Sequence, residues 1–449
     1  MHNADPLPAA SGAAEQPWPS AGRAWYTIGL IAFVTMLSNV DRGIINLLVE
    51  PIKRDLALSD TEISLIVGFA FSLVYMCVGL PMSRVSDVRS RKIILAGGLA
   101  IWSIGTALCG FAKSFVQLFV ARGIVGGAES VAGPSSMSMI SDLVPPHRLP
   151  RAFAIYQFGI SAGMAGALFL GGVLLAWFSA MGPLSLPLIG HARPWQLVFL
   201  VCMVPGLVTA VLFLMTVREP VRRNRRVRGS VPLRDVGAFL LSRRAVYLPL
   251  FLSIGIGSIE HMGLAMWRPA FYERTYGWGP EVAGPLLGLS LVISTPIALI
   301  TGTWLAEWMN GRGNPDAMVR VCVVTQALSV PFAIAGPLMP TGWLAFACGV
   351  LASIFGLMSA PAQNSAIQIV TPNEMRAQVS ALYLFTISVI GTGLGPLVIA
   401  LVTDLVLQEE AMLRYSMTGF AAVLAPGGAF LMWLAMRPYG EAVRKLRPA

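Results

Sequence analysis

The chain has 449 residues, of which 55% are hydrophobic and only 12% charged, about half the charged share of a soluble domain. Its net charge of +10 does not mark a nucleic-acid binder, because the arginines fall in short segments between apolar runs and not along one basic face. These values exclude a water-soluble globular protein and place the chain in a bilayer.

Residues 1–22, rich in Ala, Pro and Ser, lack the basic and apolar regions of a signal peptide and read as a disordered cytoplasmic tail. Hydropathy then places twelve spans near 25–48, 63–83, 93–112, 115–140, 151–178, 196–217, 246–270, 282–306, 318–338, 342–367, 377–404 and 412–436. An all-α membrane protein follows, with one six-helix bundle over 23–217 and a second over 245–437. Alternate loops carry Arg84, Arg89, Arg91 and Lys92, then Arg148 and Arg151, then Arg312 and Arg376, with further arginines in the tail 438–449. The positive-inside rule puts both termini in the cytoplasm, here of a bacterial inner membrane. Cys77, Cys109, Cys202, Cys322 and Cys348 all lie in apolar runs without paired or CxxC spacing, so they read as small packing residues.

Ionisable side chains inside a span are costly and therefore functional candidates. Span 1 holds Asp41 and Arg42 in SNVDRGIINLL. Span 4 holds Arg122 and Glu129 in ARGIVGGAESVAGP; seven residues is close to two helical turns, so the two share one face about 10 Å apart. Gly126 between them lets a neighbouring helix approach, which would bring the span 1 pair beside the span 4 pair. A carboxylate among apolar walls is pulled between desolvation, which favours the neutral acid, and a nearby arginine, which favours the anion. That competition makes Asp41 and Glu129 candidates for a proton switch, with Arg122 as their partner; a static ion pair fixing helix register is the other reading. Arg42 either joins that pairing or meets an anionic substrate group, which a guanidinium fits.

The segment 218–244 carries nine arginines against two acids and reads as a basic cytoplasmic linker touching anionic lipid heads. Beyond it, span 7 contains Glu260 and His261 in GSIEHMGLAMWRPAFY. Asp41 precedes Glu62 by the same distance as Glu260 precedes Glu281, so an acid and a basic side chain recur at one register. A shift of 227 residues superposes Pro134 on Pro361, Pro145 on Pro372, Tyr156 on Tyr383, Phe158 on Phe385 and Gly166 on Gly393. The halves are thus parallel repeats, with a substrate site expected between them. The same shift sets Gly349 and Gly356 opposite Arg122 and Glu129, which centres proton handling on the first bundle. Candidate cavity-lining residues are Trp267, Phe271, Tyr272, Met358 and Tyr383 facing Arg42, with Gln363 and Asn364 adding polarity on span 10.

The loop SRVSDVRSRK carries Asp87, Arg91 and Lys92 where the major facilitator signature has its aspartate and its basic pair; Ser83, Val88 and Ser90 depart from it. Arg122 and Gly126 match that family's Arg-x-x-x-Gly helix. The chain resembles the major facilitators, and the resemblance implies two pseudo-symmetric six-helix bundles, a usual monomer, and a conformational latch formed by Asp87, Arg91 and Lys92. Within them it is similar to the spinster lipid transporters through Asn39-Val40-Asp41-Arg42, Gly79 to Lys92, Trp102-Ser103, Gly126 to Ser130, and Asp142 with Pro145 and Arg148. That similarity implies transport of sphingoid phosphates or lysophospholipids, with Asp41 and Glu129 taking the protons. Asn-x-x-Asp-Arg is shared with organic-anion symporters, so a small sugar acid is the alternative substrate. The scarcity of polar groups within the spans favours the lipid.

No GxxxxGK[ST] or HExxH pattern occurs, and the GxSxG match GISAG at 159–163 lies inside apolar span 5 and not at the strand-to-helix turn a nucleophile elbow needs, so neither an ATP-driven pump nor a membrane enzyme is expected, and no cofactor or metal. The expected partners are the transported molecule, protons and membrane lipids.

Overall fold

Several spans begin where a Ser or Thr side chain satisfies one of the first free backbone N–H groups. A computed structural model describes residues 18–182, 184–186, 190–222, 232–372 and 374–446. Span 2 opens at Asp60 with a reciprocal box, in which the Ser59 hydroxyl accepts from the Glu62 N–H at 3.1 Å and the Glu62 carboxylate accepts from the Ser59 N–H at 2.9 Å. Ser90, Ser114 and Thr341 cap spans 3, 4 and 10 in the same sense. Proline supplies the first residue of span 6 at Pro194 and of span 8 at Pro280.

Among the described residues, ten helices are long and apolar enough to cross a membrane. An eleventh span is the bent pair Ala21–Ile44 and Val49–Leu56, whose axes meet at 51°. The twelfth is span 11, a regular helix over Arg376–Phe385, a wide π turn over Thr386–Gly391, a second helix over Thr392–Leu401 and another π turn over Val402–Leu407. Span 4 is divided into Phe115–Glu129 and Ala132–Leu143. Pro134 near the start of the second piece has no N–H to continue the ladder, so the break falls immediately after Glu129. The expected linker 218–244 contains a helix at Leu233–Ser242, and the helix of span 12 runs on from Leu413 to Leu446 through most of the expected tail. Residues 1–17, most of the expected N-terminal tail, lie outside the described residues.

In the first half, span 1 packs on span 5, span 2 on span 4, and span 3 on spans 4 and 6. The second half repeats this, with span 7 on span 11, span 8 on span 10, and span 9 on spans 10 and 12. The halves meet along two further pairs, span 5 with span 8 and span 2 with span 11. Glycines make the first contact close: a side chain at Gly284 or Gly288 would collide with the backbone of span 5 at Leu168 or Ala165.

The apolar core is divided unequally. On the face carrying both chain termini each half has its own cluster, one containing Ile28, Trp102 and Phe213 and the other Tyr247, Val319 and Tyr439. On the opposite face a single cluster runs through both halves, from Ile44, Ile66 and Trp195 to Trp267, Leu287 and Met417. The two bundles are therefore joined at one face and separate at the other. Large apolar side chains such as Val208, Ile300 and Val423 point outward, as a bilayer-facing belt requires.

Candidate functional site

Four of the predicted ionisable residues converge inside the first bundle. Glu129 is fully buried at the break of span 4. Its Oε2 accepts from Arg42 Nε at 2.5 Å and from the Ser38 hydroxyl at 2.9 Å, both on span 1. Its Oε1 is buried with no hydrogen-bond partner among the described residues. Asp41 accepts from the Thr106 hydroxyl of span 3 at 3.3 Å, and the charges of Glu129 and Arg122 both reach it.

An aromatic plate holds the arginines. The Arg42 guanidinium lies 4.8 Å from the ring centroid of Phe71 and 5.2 Å from that of Tyr75, and Arg122 lies 5.4 Å from Phe71 on span 2. Such contacts offset part of the desolvation of a buried cation. Gly126 is placed against the Phe71 carbonyl, where no Cβ fits. The helix that this glycine admits is thus span 2, and through Phe71 it links the charges of spans 1 and 4. Arg122 makes no ion pair among the described residues and its Nε is unpartnered. Arg42 is one-third exposed along its side chain, so the pair is not fully sealed inside the bundle.

A second polar site lies within the other bundle, around a cavity of 270 Å³. Glu260, His261, Gln363 and Tyr383 line it, together with Arg268, Gln326 and Ser353. Arg268 donates to the Ser353 hydroxyl at 3.2 Å. Trp267 and Asn364 are placed elsewhere: Trp267 is fully buried, donating to the Pro396 carbonyl at 3.0 Å, and Asn364 is exposed on span 10. Phe271 and Tyr272 border a small apolar recess beyond Arg268. Sequence reasoning missed Arg268, although it follows His261 by seven residues on one helix face, the same spacing as Arg122 and Glu129.

The loop between spans 2 and 3 is held within the first bundle. Arg91, 1% exposed, donates to Asp142 at 2.5 Å, Glu219 at 3.0 Å, Ser138 at 2.7 Å and the Pro220 carbonyl at 2.9 Å. The Lys92 backbone N–H donates to Glu219 at 2.8 Å. Partial burial disfavours the Glu219 carboxylate, yet the Lys92 N–H, the Ser90 hydroxyl and the Arg91 guanidinium hold its pKa below the ordinary value of 4.5. The side chain of Asp87 lies outside the described residues.

On the face opposite the termini, charged side chains tie one half to the other. Arg274 of span 7 donates to Glu50 and to both oxygens of Asp60, each at 2.7 Å. Arg54 donates to Glu273 at 2.5 Å, Lys53 pairs with Asp60 and Glu410, and the Thr61 hydroxyl donates to Asp404 at 2.6 Å. No hydrogen bond or ion pair between the halves is found at the terminal face among the described residues. This arrangement can close one side of a path between the bundles while leaving the other side open.

Two bundles related by a repeat, with buried charges between their helices and one sealed face, define a secondary transporter of alternating-access design. The family model for the Major Facilitator Superfamily matches residues 31–396, and the chain belongs to that family. It is 28% identical over 420 residues to an MFS-type efflux pump of Mycolicibacterium smegmatis, covering 93% of this chain and 94% of that one. It is 24% identical to protein spinster homolog 1 of Homo sapiens, covering 93% and 81%. In fold it matches a bacterial homolog of the human lysosomal transporter Spinster, solved inward-facing and unoccupied, at a TM-score of 0.76 and 23% identity over 96% of this chain and all of that one.

Proposed function

We propose that this chain is a proton-driven carrier of an amphipathic anionic or zwitterionic lipid of the lysophospholipid or sphingoid-phosphate kind, acting as a monomer in a bacterial inner membrane with both termini cytoplasmic. The observation that carries the reading is the divided coordination of Glu129, with one oxygen held by Arg42 and Ser38 and the other buried without a partner. In the charged form Glu129 retains Arg42. A proton taken at its free oxygen cancels that attraction and releases the guanidinium toward the space between the bundles, where an anionic headgroup can meet it. Asp41, within electrostatic reach of Glu129 and Arg122, is the second carboxylate of the switch. Proton occupancy is thereby coupled to which partner Arg42 holds, and the inter-half pairs around Arg274 open when the bundles rock.

The resemblance to the spinster lipid transporters, with spinster homologs among the relatives, supports the lipid, and the partly exposed Arg42 supports an anionic group on it. A second reading, symport of a small organic anion, is favoured by the cavity volume of 270 Å³, which suits a headgroup-sized solute better than a whole lipid. Both are tested by substrate-dependent proton flux in proteoliposomes with lysophospholipid, sphingoid phosphate or hexuronate, for the native chain, Asp41→Asn and Glu129→Gln. Flux with lipid alone, lost in either variant, is the expected result. Flux with hexuronate alone selects the second reading, and native flux in both variants refutes the proton switch.

A further inference from the structure

The charges of the second-bundle cavity are not matched within the protein. Glu260 and Arg268 both line it, yet among the described residues neither makes an ion pair, and the one polar contact of Arg268 is to the neutral Ser353 hydroxyl. Glu260 has no hydrogen bond among them. In the first bundle, by contrast, Arg42 is already engaged by the Glu129 carboxylate. A carboxylate and a guanidinium left apart inside a membrane protein, where unpaired charge is expensive, mark places for charges brought by a ligand.

From this geometry we infer that the cavity binds a zwitterion, with its anionic group on Arg268 and its cationic group on Glu260. The assignment rests on the lipid reading above and narrows it to one headgroup class. The two residues stand eight apart on one helix, a rise of about 12 Å. Ion-pair contacts of up to about 4 Å at either end leave room between them for two neighbouring charges of a single headgroup. A purely anionic ligand would satisfy Arg268 and leave Glu260 unmatched; a purely cationic one would do the reverse. Gln326 and Gln363 on the cavity wall offer both donors and acceptors to the polar atoms between.

The test is binding by the purified full chain in maltoside micelles, using four amphiphiles with one common alkyl tail: a phosphocholine, a phosphate monoester, a trimethylammonium and a maltoside. The phosphocholine is expected to bind at least about tenfold more tightly than the others, a difference of about 1.4 kcal/mol. Glu260→Gln should lower it to the level of the phosphate monoester without weakening the latter, and Arg268→Gln should lower it to the level of the trimethylammonium. Arg268→Lys, which keeps the charge, should preserve the preference and serves if the glutamine variant does not fold. Equal binding of phosphate monoester and phosphocholine by the native chain, or loss of all amphiphiles alike in Glu260→Gln, overturns the assignment while leaving the lipid reading intact. Binding of none of the charged amphiphiles overturns both.

Discussion

Arg42 and Arg122 lie over the same Phe71 ring, at 4.8 and 5.4 Å from its centroid, and of the two only Arg42 meets a carboxylate among the described residues. Two cations thus share one aromatic surface, one held by Glu129 and the other within electrostatic reach of Asp41. Removing the negative charge changes which contacts Arg42 keeps without moving the plate that holds it.

Glu129→Gln keeps the acceptor for Ser38 and loses the charge that retains Arg42. Because Arg42 is partly exposed, its freed guanidinium can reach water and the fold should survive. Uptake driven by a pH gradient is expected to fall by about tenfold or more, an effect of at least about 1.4 kcal/mol. Native-like uptake by a monodisperse variant would contradict this role.

Gly126→Ala adds a methyl group where the Phe71 carbonyl already sits. Backbone must move to admit it, a cost of about 1–3 kcal/mol, seen as a lower Tm together with impaired transport. Gly133→Ala, two residues beyond the break where a Cβ meets nothing within 4 Å, should leave Tm almost unchanged.

Arg274→Ala removes the guanidinium from Glu50 and Asp60 while Lys53 remains on Asp60. Leaving a buried charge without its partner costs about 3–5 kcal/mol. The cost falls on the state in which this face is closed, so the population open there should rise by at least about a hundredfold. Distances between spin labels across the two bundles should lengthen at that face and shorten at the terminal face; an unchanged distribution would remove Arg274 from the seal.

Glu219 offers a pH test outside the bilayer. Its carboxyl pKa is lowered in the folded protein, so its contribution to stability is fully present above its unfolded value, about 4.3, and is lost as pH falls through the folded value. Hydrogen exchange at Ser90 to Ile93, corrected for intrinsic rates, should be constant from about pH 7 to 5 and quicken only below about pH 4. Glu219→Gln should show the quickened exchange already at neutral pH.

The twelve spans and the repeat were legible because each run of apolar residues is long and each charged loop short. Asp41, Arg42, Arg122 and Glu129 stood out for the same reason, as charges in the wrong solvent. Phe71 and Tyr75 did not, since an aromatic residue in a span is unremarkable until a cation is placed on it. The seal formed by Glu50, Lys53, Arg54, Asp60, Glu273, Arg274 and Glu410 was also missed. Charge at a span end is ordinary, and the pairing of Arg274 with Asp60 joins residues 214 apart, which no local pattern encodes. Trp267 was expected to face the substrate path because a tryptophan can line one; its indole is instead spent on the Pro396 carbonyl between spans 7 and 11.

Span 2 holds a six-residue π turn, Leu65–Ala70, directly before Phe71. Within that turn Gly68 abuts the Thr392 carbonyl, just past the wide turn Thr386–Gly391 of span 11. A π turn carries an extra residue relative to an α turn, so the helix here is wound with slack. Taking up that residue would screw everything beyond it by about 100°, swinging Phe71 and Tyr75 out from under the arginines while the rest of the span stayed helical. The orientation of the plate is therefore a matter of winding, held by one surplus residue at the place where the two halves touch.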